Sequence, residues 1–211
     1  MMEGLGGRHA FCDEVWAINS YGDVLACDRV FHMDDFKIQE QRAENNPKIG
    51  KMVECLKRHP GPVYTSRAYP DYPGSKDFPL EEVINSAGTD YFNCTPAYAI
   101  AYAIHLKADR ISLFGLDFTW PNAHDAEQGR ACCEYWLGRA MQRGIQVFVC
   151  NSSTLMDRNV PGDLRLYGYD TLRVEIEYVD GKARVTKTPK DVVPTAEEME
   201  QRYDHSKGTD K

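Results

Sequence analysis

Residues Tyr91–Phe118, YFNCTPAYAIAYAIHLKADRISLFGLDF, carry the pattern on which the predicted fold depends. Their first half alternates alanines with tyrosines and isoleucines, which predicts a helix at about residues 96–106 that is apolar nearly all round. The second half, residues 110–118, predicts a buried strand that closes on Gly115 and Asp117. Because small residues allow close packing, we expect this helix to lie against the centre of a parallel sheet.

Further strands and helices alternate on both sides of this stretch. Buried strands are predicted at residues 13–20, 28–35, 63–66 and 145–153, and helices near 47–58 and 125–143. The order predicts an α/β fold, a Rossmann-like three-layer sandwich with a mostly parallel sheet. Residues 67–79 are rich in Pro and Tyr and are expected to form a loop.

The pattern changes after residue 160. TLRVEIEYVDGKARVTKTP, residues 171–189, predicts a β-hairpin that turns at Asp180 and Gly181. A charged tail with a short helix is expected from residue 196. We therefore predict two domains, a nucleotide-binding domain at residues 1–160 and a C-terminal hairpin and tail at residues 161–211.

Composition limits the function classes. The net charge of -7 argues against a general nucleic-acid binder, which would present a basic face. The best apolar run is interrupted by His105, Lys107 and Asp109, so no membrane-spanning segment is expected. The N-terminus lacks the pattern of a signal peptide, which makes the cytoplasm the expected location.

The cysteines point to a reducing compartment. Seven are present without any CxxC pair, so zinc-ribbon and thioredoxin-like sites are not expected. We expect them to be small, mostly buried side chains, with at most one of Cys132 and Cys133 facing the core.

Polar side chains follow each predicted strand, and ligands of parallel sheets bind at the carboxyl ends of the strands. Thr95 is expected to cap the apolar helix, with Pro96 in its first turn, and free amides there favour an anion such as a phosphate. A plain cap on a buried helix is the alternative. The candidate binding residues at these ends are Asn19, Ser20, Thr95, Pro96, Gly115, Asp117 and Asn151.

Two histidines are candidates for acid–base chemistry. His32 precedes Asp34 and Asp35, a group that suggests a metal site or, alternatively, a turn or helix cap. His124 lies beside carboxylates and would titrate near neutrality, while Asp125 alternatively caps the next helix. An aromatic loop is interpreted either as a lid that stacks on a base or sugar, or as a stiff surface loop; it holds Tyr64, Arg67, Tyr69 and Tyr72.

The segment CTPAYAIAYAIHLKADRISLFGLDF, residues 94–118, resembles bacterial sialyltransferases that modify lipooligosaccharide. The same layout occurs in a wider Rossmann-like group of proteins of unknown function, which includes archaeal hydroxymethylpterin pyrophosphokinase and flagellin-glycosylation factors. DEVWAINS, residues 13–20, is similar to the family strand whose last Asn contacts the nucleotide. EYWLGRAMQRGIQVFVCNSSTLM, residues 134–156, resembles phage and prophage members. The resemblance covers roughly residues 13–156.

The resemblance implies roles for particular residues. Asn19 would contact the nucleotide, and Thr95 with Pro96 would lie beside the donor phosphate or the sugar carboxylate. Gly115 and Asp117 would line the pocket near the ribose or the base. The family uses a later His as its base; the catalytic candidates in this sequence are His124, His32 and Asp117.

The implied function is that of a glycosyltransferase, which binds a nucleotide-sugar and transfers the sugar to an acceptor hydroxyl. One alternative is a non-catalytic, phage-encoded protein that sequesters a nucleotide or another small molecule. Another is a pyrophosphokinase-like enzyme with Mg²⁺ at Asp34 and Asp35, although the sequence does not itself require Mg²⁺. No membrane or nucleic-acid partner is expected.

One expected departure from the family concerns its first strand and Gly-rich phosphate loop. GLGG, residues 4–7, follows no predicted strand and therefore does not have the context of a phosphate loop. Loss of that strand would leave a sheet edge open, so a homo-oligomer through this edge is expected.

Overall fold

Residues 11–162 and 165–202 are described by the computed structural model, and they divide into two units between Cys150 and Asn151. GLGG at residues 4–7 lies outside the described residues. The first unit contains a four-stranded sheet in which all neighbouring strands are parallel, in the order β1-β2-β3-β4. Its strands are β1 (Trp16–Ile18), β2 (Arg29–Phe31), β3 (Val63–Thr65) and β4 (Ser75–Asp77).

Two further strands of the first unit form a sheet of their own. They are β5 (Arg110–Leu113) and β6 (Gln146–Val149), which pair in parallel. Five helices connect the strands: α1 (Phe36–Ala43), α2 (Pro47–Arg58), α3 (Leu80–Ala87), α4 (Thr95–His105) and α5 (Ala123–Gln142). The expected α/β class with mostly parallel pairing is confirmed.

Helix α4 is the apolar helix of the opening stretch, and eight of its residues are buried. It packs against β1 and β2 and also against α3 and α5. Ala97 and Ala101 are fully buried, because their small side chains let the backbone approach its neighbours closely. The Tyr102 ring packs against Phe31 and Tyr64, with centroids 5.7 Å and 4.9 Å away. The all-round apolar pattern therefore reflects burial on several sides.

The segment expected to be a Pro- and Tyr-rich loop is more ordered than its composition indicates. It contains β4, whose residues pair with β3 over the whole length of that strand, and it is followed directly by α3. Tyr69 and Tyr72 are buried, and the Tyr72 ring stacks on Phe36 with centroids 4.0 Å apart. Burial of these aromatic rings gives the segment the apolar anchors that its prolines alone do not reveal.

Three local expectations are wrong. The strand after α4 ends at Leu113 rather than residue 118, since Gly115 takes a left-handed φ of 67° that breaks an extended run. Cys132 and Cys133 are both fully buried, because one faces the segment before α4 and the other the start of α4. Helix α5 begins at Ala123 with Asn122 as its cap, so Asp125 is not the cap.

The second unit contains the hairpin formed by β7 (Leu172–Val179) and β8 (Lys182–Pro189), which pair antiparallel. Asp180 and Gly181 connect them with φ values of 51° and 74°, as a two-residue hairpin turn of this hand requires. The helix α6 (Ala196–Arg202) follows. The predicted hairpin and its turn are confirmed. Within the described part of the chain, no helix is long and apolar enough to cross a membrane.

Candidate functional site

The carboxyl ends of the first three strands meet at one edge of the four-stranded sheet. Asn19 directly follows β1, His32 follows β2 and Ser66 follows β3. Because these strands are parallel neighbours, the side chains after them project from the same edge. The sheet thus brings Asn19 and His32 to one edge, as the polar strand ends predicted.

Asn19 has two unusual features. Its φ is 51°, a left-handed conformation that asparagine tolerates better than most residues but that still carries strain. Its Oδ1 atom is buried and has no hydrogen-bond partner among the described residues. A buried acceptor without a donor is costly, so strain and an unpaired acceptor coincide at the end of β1.

His32 is fully buried at the end of β2. Its backbone amide donates to the Tyr64 carbonyl at 2.9 Å, and its ring stacks on Phe36 with centroids 5.0 Å apart. Neither ring nitrogen has a hydrogen-bond partner in the described chain. Burial lowers the pKa of His32 to about 4 against the opposing effect of the Asp34 carboxylate, so the ring is uncharged at neutral pH.

Asp35 is part of a structural network, which supports the cap interpretation of this acidic pair. Its Oδ1 accepts from the amides of Lys37 and Ile38 at the start of α1. Its Oδ2 accepts from the Tyr69 hydroxyl at 2.9 Å and from Arg67 Nη2 at 3.3 Å. The Tyr69 hydrogen bond is the largest of the effects that lower the pKa of Asp35.

The same network argues against both interpretations of the aromatic loop. Arg67 lies over the Tyr69 ring at 5.0 Å, and the Tyr72 hydroxyl donates to Glu40 at 3.1 Å. Tyr64, Tyr69 and Tyr72 are all buried. These rings belong to the core and hold the loop to α1, so neither a stacking lid nor a surface loop describes them.

The turn after β5 lies next to the segment after β1. The Tyr21 hydroxyl, on the short 3-10 helix Asn19–Asp23, lies 3.9 Å from the position that a Cβ atom on Gly115 would occupy. The rings of Phe11 and Phe114 also approach, with centroids 5.6 Å apart. Gly115 therefore lies beside the helix that begins with Asn19 and Ser20. Asp117, two residues further on, is exposed.

The start of α4 differs from the expected cap. Cys94 is the N-cap, its side chain makes no capping hydrogen bond, and Thr95 and Pro96 lie inside the first turn. The Cys94 sulfur lies 3.5 Å from the Cys133 sulfur and 3.5 Å from the Gly129 carbonyl oxygen. The assignment of Thr95 as the cap is wrong because the extended residue before the helix is Cys94. The side chain of the N-cap residue therefore faces α5 and does not cap the helix.

The two remaining candidates, His124 and Asn151, have contacts of their own. His124 is exposed on the first turn of α5, where its Nε2 lies 2.8 Å from Gln128 Nε2. Asn151 belongs to the second unit, where its Oδ1 accepts from Arg158 Nη2 at 2.8 Å. Among residues 11–162 and 165–202, no group of three or more His, Cys, Asp or Glu side chains is arranged to hold a metal ion.

A polar cluster around Arg29 was not anticipated. Arg29 donates to both Glu14 carboxylate oxygens, at 2.7 Å and 2.8 Å, and to the Tyr64 hydroxyl at 3.1 Å. The Tyr64 and Tyr102 hydroxyls are 2.8 Å apart, and burial raises the pKa of Tyr102 to about 12. In the sequence, this cluster is indicated only by a charged residue at the start of an apolar strand. Charged residues are common at strand ends that reach the surface.

No protein-family model, curated protein or solved structure matches this chain.

Proposed function

We propose that residues 11–150 bind a nucleotide or nucleotide-sugar at the carboxyl ends of β1, β2 and β5. The observation that carries the proposal is Asn19, whose backbone is in a left-handed conformation and whose buried Oδ1 has no partner among the described residues. Strained residues with unpaired polar atoms are concentrated at ligand sites, because the ligand supplies the missing interaction. Asn19 as a whole is only partly buried, so a rotation of its side chain would bring Oδ1 to the amino group of a base or to a sugar hydroxyl, from which it would accept.

The position of Asn19 supports the same conclusion. From β1 the chain continues through β2, β3 and β4 in one sheet, and it then returns to a second parallel pair, β5 and β6. Ligands of α/β proteins bind where the strand order reverses, outside the carboxyl ends. The approach of Tyr21 to Gly115 supports the inference that the two sheets belong to one Rossmann-like arrangement with this reversal between β1 and β5.

Sugar transfer to an acceptor hydroxyl is the reaction that we propose for this site. A base must take the hydroxyl proton while the bond between the sugar and the nucleotide phosphate breaks. His32 is uncharged at neutral pH, as a base must be before it takes a proton, and its pKa of about 4 makes it a weak base. His124 and Asp117 are the exposed alternatives.

Sequestration of a nucleotide without catalysis is the second candidate. It is favoured by the complete burial of His32, which leaves an acceptor hydroxyl no access to the ring without a local opening. The pyrophosphokinase alternative is less well supported, since Asp35 already accepts hydrogen bonds from two amides, Tyr69 and Arg67. A Mg²⁺ ion would have to displace these donors.

We further propose a cytoplasmic location. The seven cysteines are scattered along the chain and include no CxxC pair, which favours a reducing compartment over one in which disulfides form. A homo-oligomer through an open sheet edge stays a prediction.

A thermal-shift screen with nucleotides and nucleotide-sugars, with and without Mg²⁺, tests the proposal. We expect at least one nucleotide or nucleotide-sugar to raise the unfolding temperature, and Asn19→Ala to abolish the rise. Asn85→Ala, an exposed asparagine on α3, is the matched control and should leave it intact. If no compound gives a shift, the proposal fails. Turnover of a nucleotide-sugar that binds then separates a transferase from a sequestering protein.

A further inference from the structure

A cavity of about 430 Å³ lies at the end of the four-stranded sheet that is opposite the carboxyl ends of its strands. Cys27, just before β2, and His59, just before β3, both line it, so it lies at the amino ends of these strands. Asp23, Cys55 and Arg58 line it as well. The cavity is therefore separate from the carboxyl edge that holds Asn19 and His32, and neither of its thiols has a part in the proposed nucleotide site.

Cys27 and His59 form a close pair in this cavity. The Cys27 sulfur lies 3.5 Å from His59 Nε2, within hydrogen-bond distance for a sulfur atom. On the other side of the ring, His59 Nδ1 lies 3.2 Å from both the amide nitrogen and the carbonyl oxygen of Gly61. Nδ1 can therefore accept from the amide when it is bare, and donate to the carbonyl when it carries a proton. The backbone of Gly61 holds the ring in place in either state.

The surrounding backbone fixes this arrangement. A Cβ atom on Gly74 would lie 2.6 Å from the His59 carbonyl oxygen, so the segment before β4 packs directly on the histidine backbone. Because Gly61 holds the His59 ring and Gly74 packs on the His59 backbone, Nε2 is already directed at the sulfur. The side chain therefore loses no further freedom when the thiol reacts. Preorganisation of this kind is what makes a neighbouring base effective.

The two cysteines of the cavity differ in their surroundings. Cys27 faces an imidazole, which stabilises a thiolate by accepting its proton, and Arg58 adds a positive charge to the cavity wall. Cys55 has the opposite environment, because burial and a hydrogen bond with the Asp23 carboxylate raise its pKa to about 11. Cys55 therefore stays protonated at neutral pH and provides an internal comparison.

We propose that Cys27 is a reactive thiol, paired with His59, that takes up small anionic disulfides by thiol–disulfide exchange. The S–H proton moves to His59 Nε2, and the Cys27 thiolate attacks one sulfur of the disulfide. A new S–S bond forms at Cys27 while the original S–S bond breaks, and the second half leaves as a thiolate with the bond electrons. The proton then passes from His59 to solvent. The carboxylates of such a disulfide match the charge of Arg58.

Reaction of the native 211-residue chain with dithiobis(nitrobenzoate), an aromatic disulfide with two carboxylates, tests this site. At pH 7 we expect one thiol to react about tenfold faster than an ordinary exposed cysteine, since an imidazole 3.5 Å from the sulfur that takes the S–H proton increases the fraction of reactive thiolate. Peptide mapping by mass spectrometry should locate the first label on Cys27. Cys27→Ser should remove the fast phase, and Cys55→Ser should retain it.

His59→Gln tests the role of the histidine as a positioning residue. It should slow the fast phase at pH 7 about tenfold and move its pH midpoint upward towards that of a free thiol, about 8.5. Unfolding in urea should bring all seven thiols to similar rates. A first label on any other cysteine, or a His59→Gln variant with the rate and pH profile of the wild type, would overturn the proposal. Because peptide mapping of the first label uses the wild-type protein, it tests the proposal even if a variant fails to fold.

Discussion

Replacement of Asn19 by glycine separates the stability of the first unit from its proposed ligand binding. Asn19 sits at a φ of 51°, and its buried Oδ1 has no partner among residues 11–162 and 165–202. Glycine enters this backbone conformation without a steric penalty and carries no polar side chain. Asn19→Gly therefore removes both the strain and the unpaired acceptor, together with the atom that we propose contacts the nucleotide.

The size of the effect follows from opposing contributions. Relief of left-handed strain contributes roughly 1 kcal/mol, and loss of a buried unpaired acceptor contributes about 1–3 kcal/mol. The greater backbone freedom of glycine in the unfolded chain costs about 0.5–1 kcal/mol. We expect a net gain of about 1–3.5 kcal/mol, and a domain of this size gains about 2–4 °C in unfolding temperature for each kcal/mol.

Thermal unfolding followed by circular dichroism, together with a nucleotide titration, measures both quantities. We expect Asn19→Gly to unfold at a higher temperature than the wild type and to lose the nucleotide response. Asn85→Ala, at an exposed position of α3, should keep the nucleotide response and stabilise by no more than about 0.7 kcal/mol through its higher helix propensity. A destabilised Asn19→Gly variant, or one that binds the nucleotide as the wild type does, would refute the reasoning.

Two further predictions concern the protonation of His32 and the glycines of α5. His32 has a folded pKa of about 4, below its ordinary 6.5, so the folded state binds fewer protons than the unfolded state and stability falls as pH drops from about 6.5 to about 4. For the wild type this loss amounts to about 2 kcal/mol of unfolding free energy between pH 7.5 and pH 5. Urea unfolding at the two pH values should show that His32→Leu lacks the loss; a His32→Leu variant with the pH dependence of the wild type would contradict the prediction. Gly129→Ala should destabilise by about 1–3 kcal/mol, since its Cβ would lie 2.8 Å from the Phe118 ring. Gly138→Ala on the same helix meets nothing within 4 Å and should stabilise by about 1 kcal/mol; equal unfolding temperatures for the two variants would exclude this account.

The alternation of elements was predictable because it depends on local patterns. Helix α2 has its predicted bounds, Pro47–Arg58, since Asn46 caps it and Pro47 starts it. The hairpin turn at Asp180 and Gly181 was predictable for the same reason, as only a few residue pairs adopt two successive positive φ values. These signals lie within a few residues of the structure they determine.

The division into two parallel sheets was not predictable, because strand pairing depends on contacts between distant segments. Strand β4, with the sequence Ser-Lys-Asp, has no β-forming residues and pairs with β3 because the Tyr-rich segment before it is anchored. The burial of Tyr69 and Tyr72 depends on Phe36 from α1, which is distant in sequence. The β-strand propensities of individual residues carry no information about such distant partners.

The strand ends that hold the candidate residues were predictable, but the surroundings of those residues were not. Polar residues after parallel strands identified the edge, and Asn19 and His32 lie there. The burial of His32, the commitment of Asp35 to Tyr69 and the packing of Cys94 on α5 depend on tertiary neighbours. The cysteine–histidine pair at Cys27 and His59 was missed because the two residues approach only when β2 and β3 lie side by side.

The most direct test of the central claim is the side-chain amide signal of Asn19 in a nitrogen–proton NMR spectrum. The signal is assigned by its absence from the spectrum of Asn19→Gly. On titration with a nucleotide or nucleotide-sugar that stabilises the protein, we predict that the Asn19 amide pair moves with the bound fraction while the Asn85 pair stays in place. A stabilising nucleotide that leaves the Asn19 signal unmoved would contradict the claim that the ligand binds at the carboxyl end of β1.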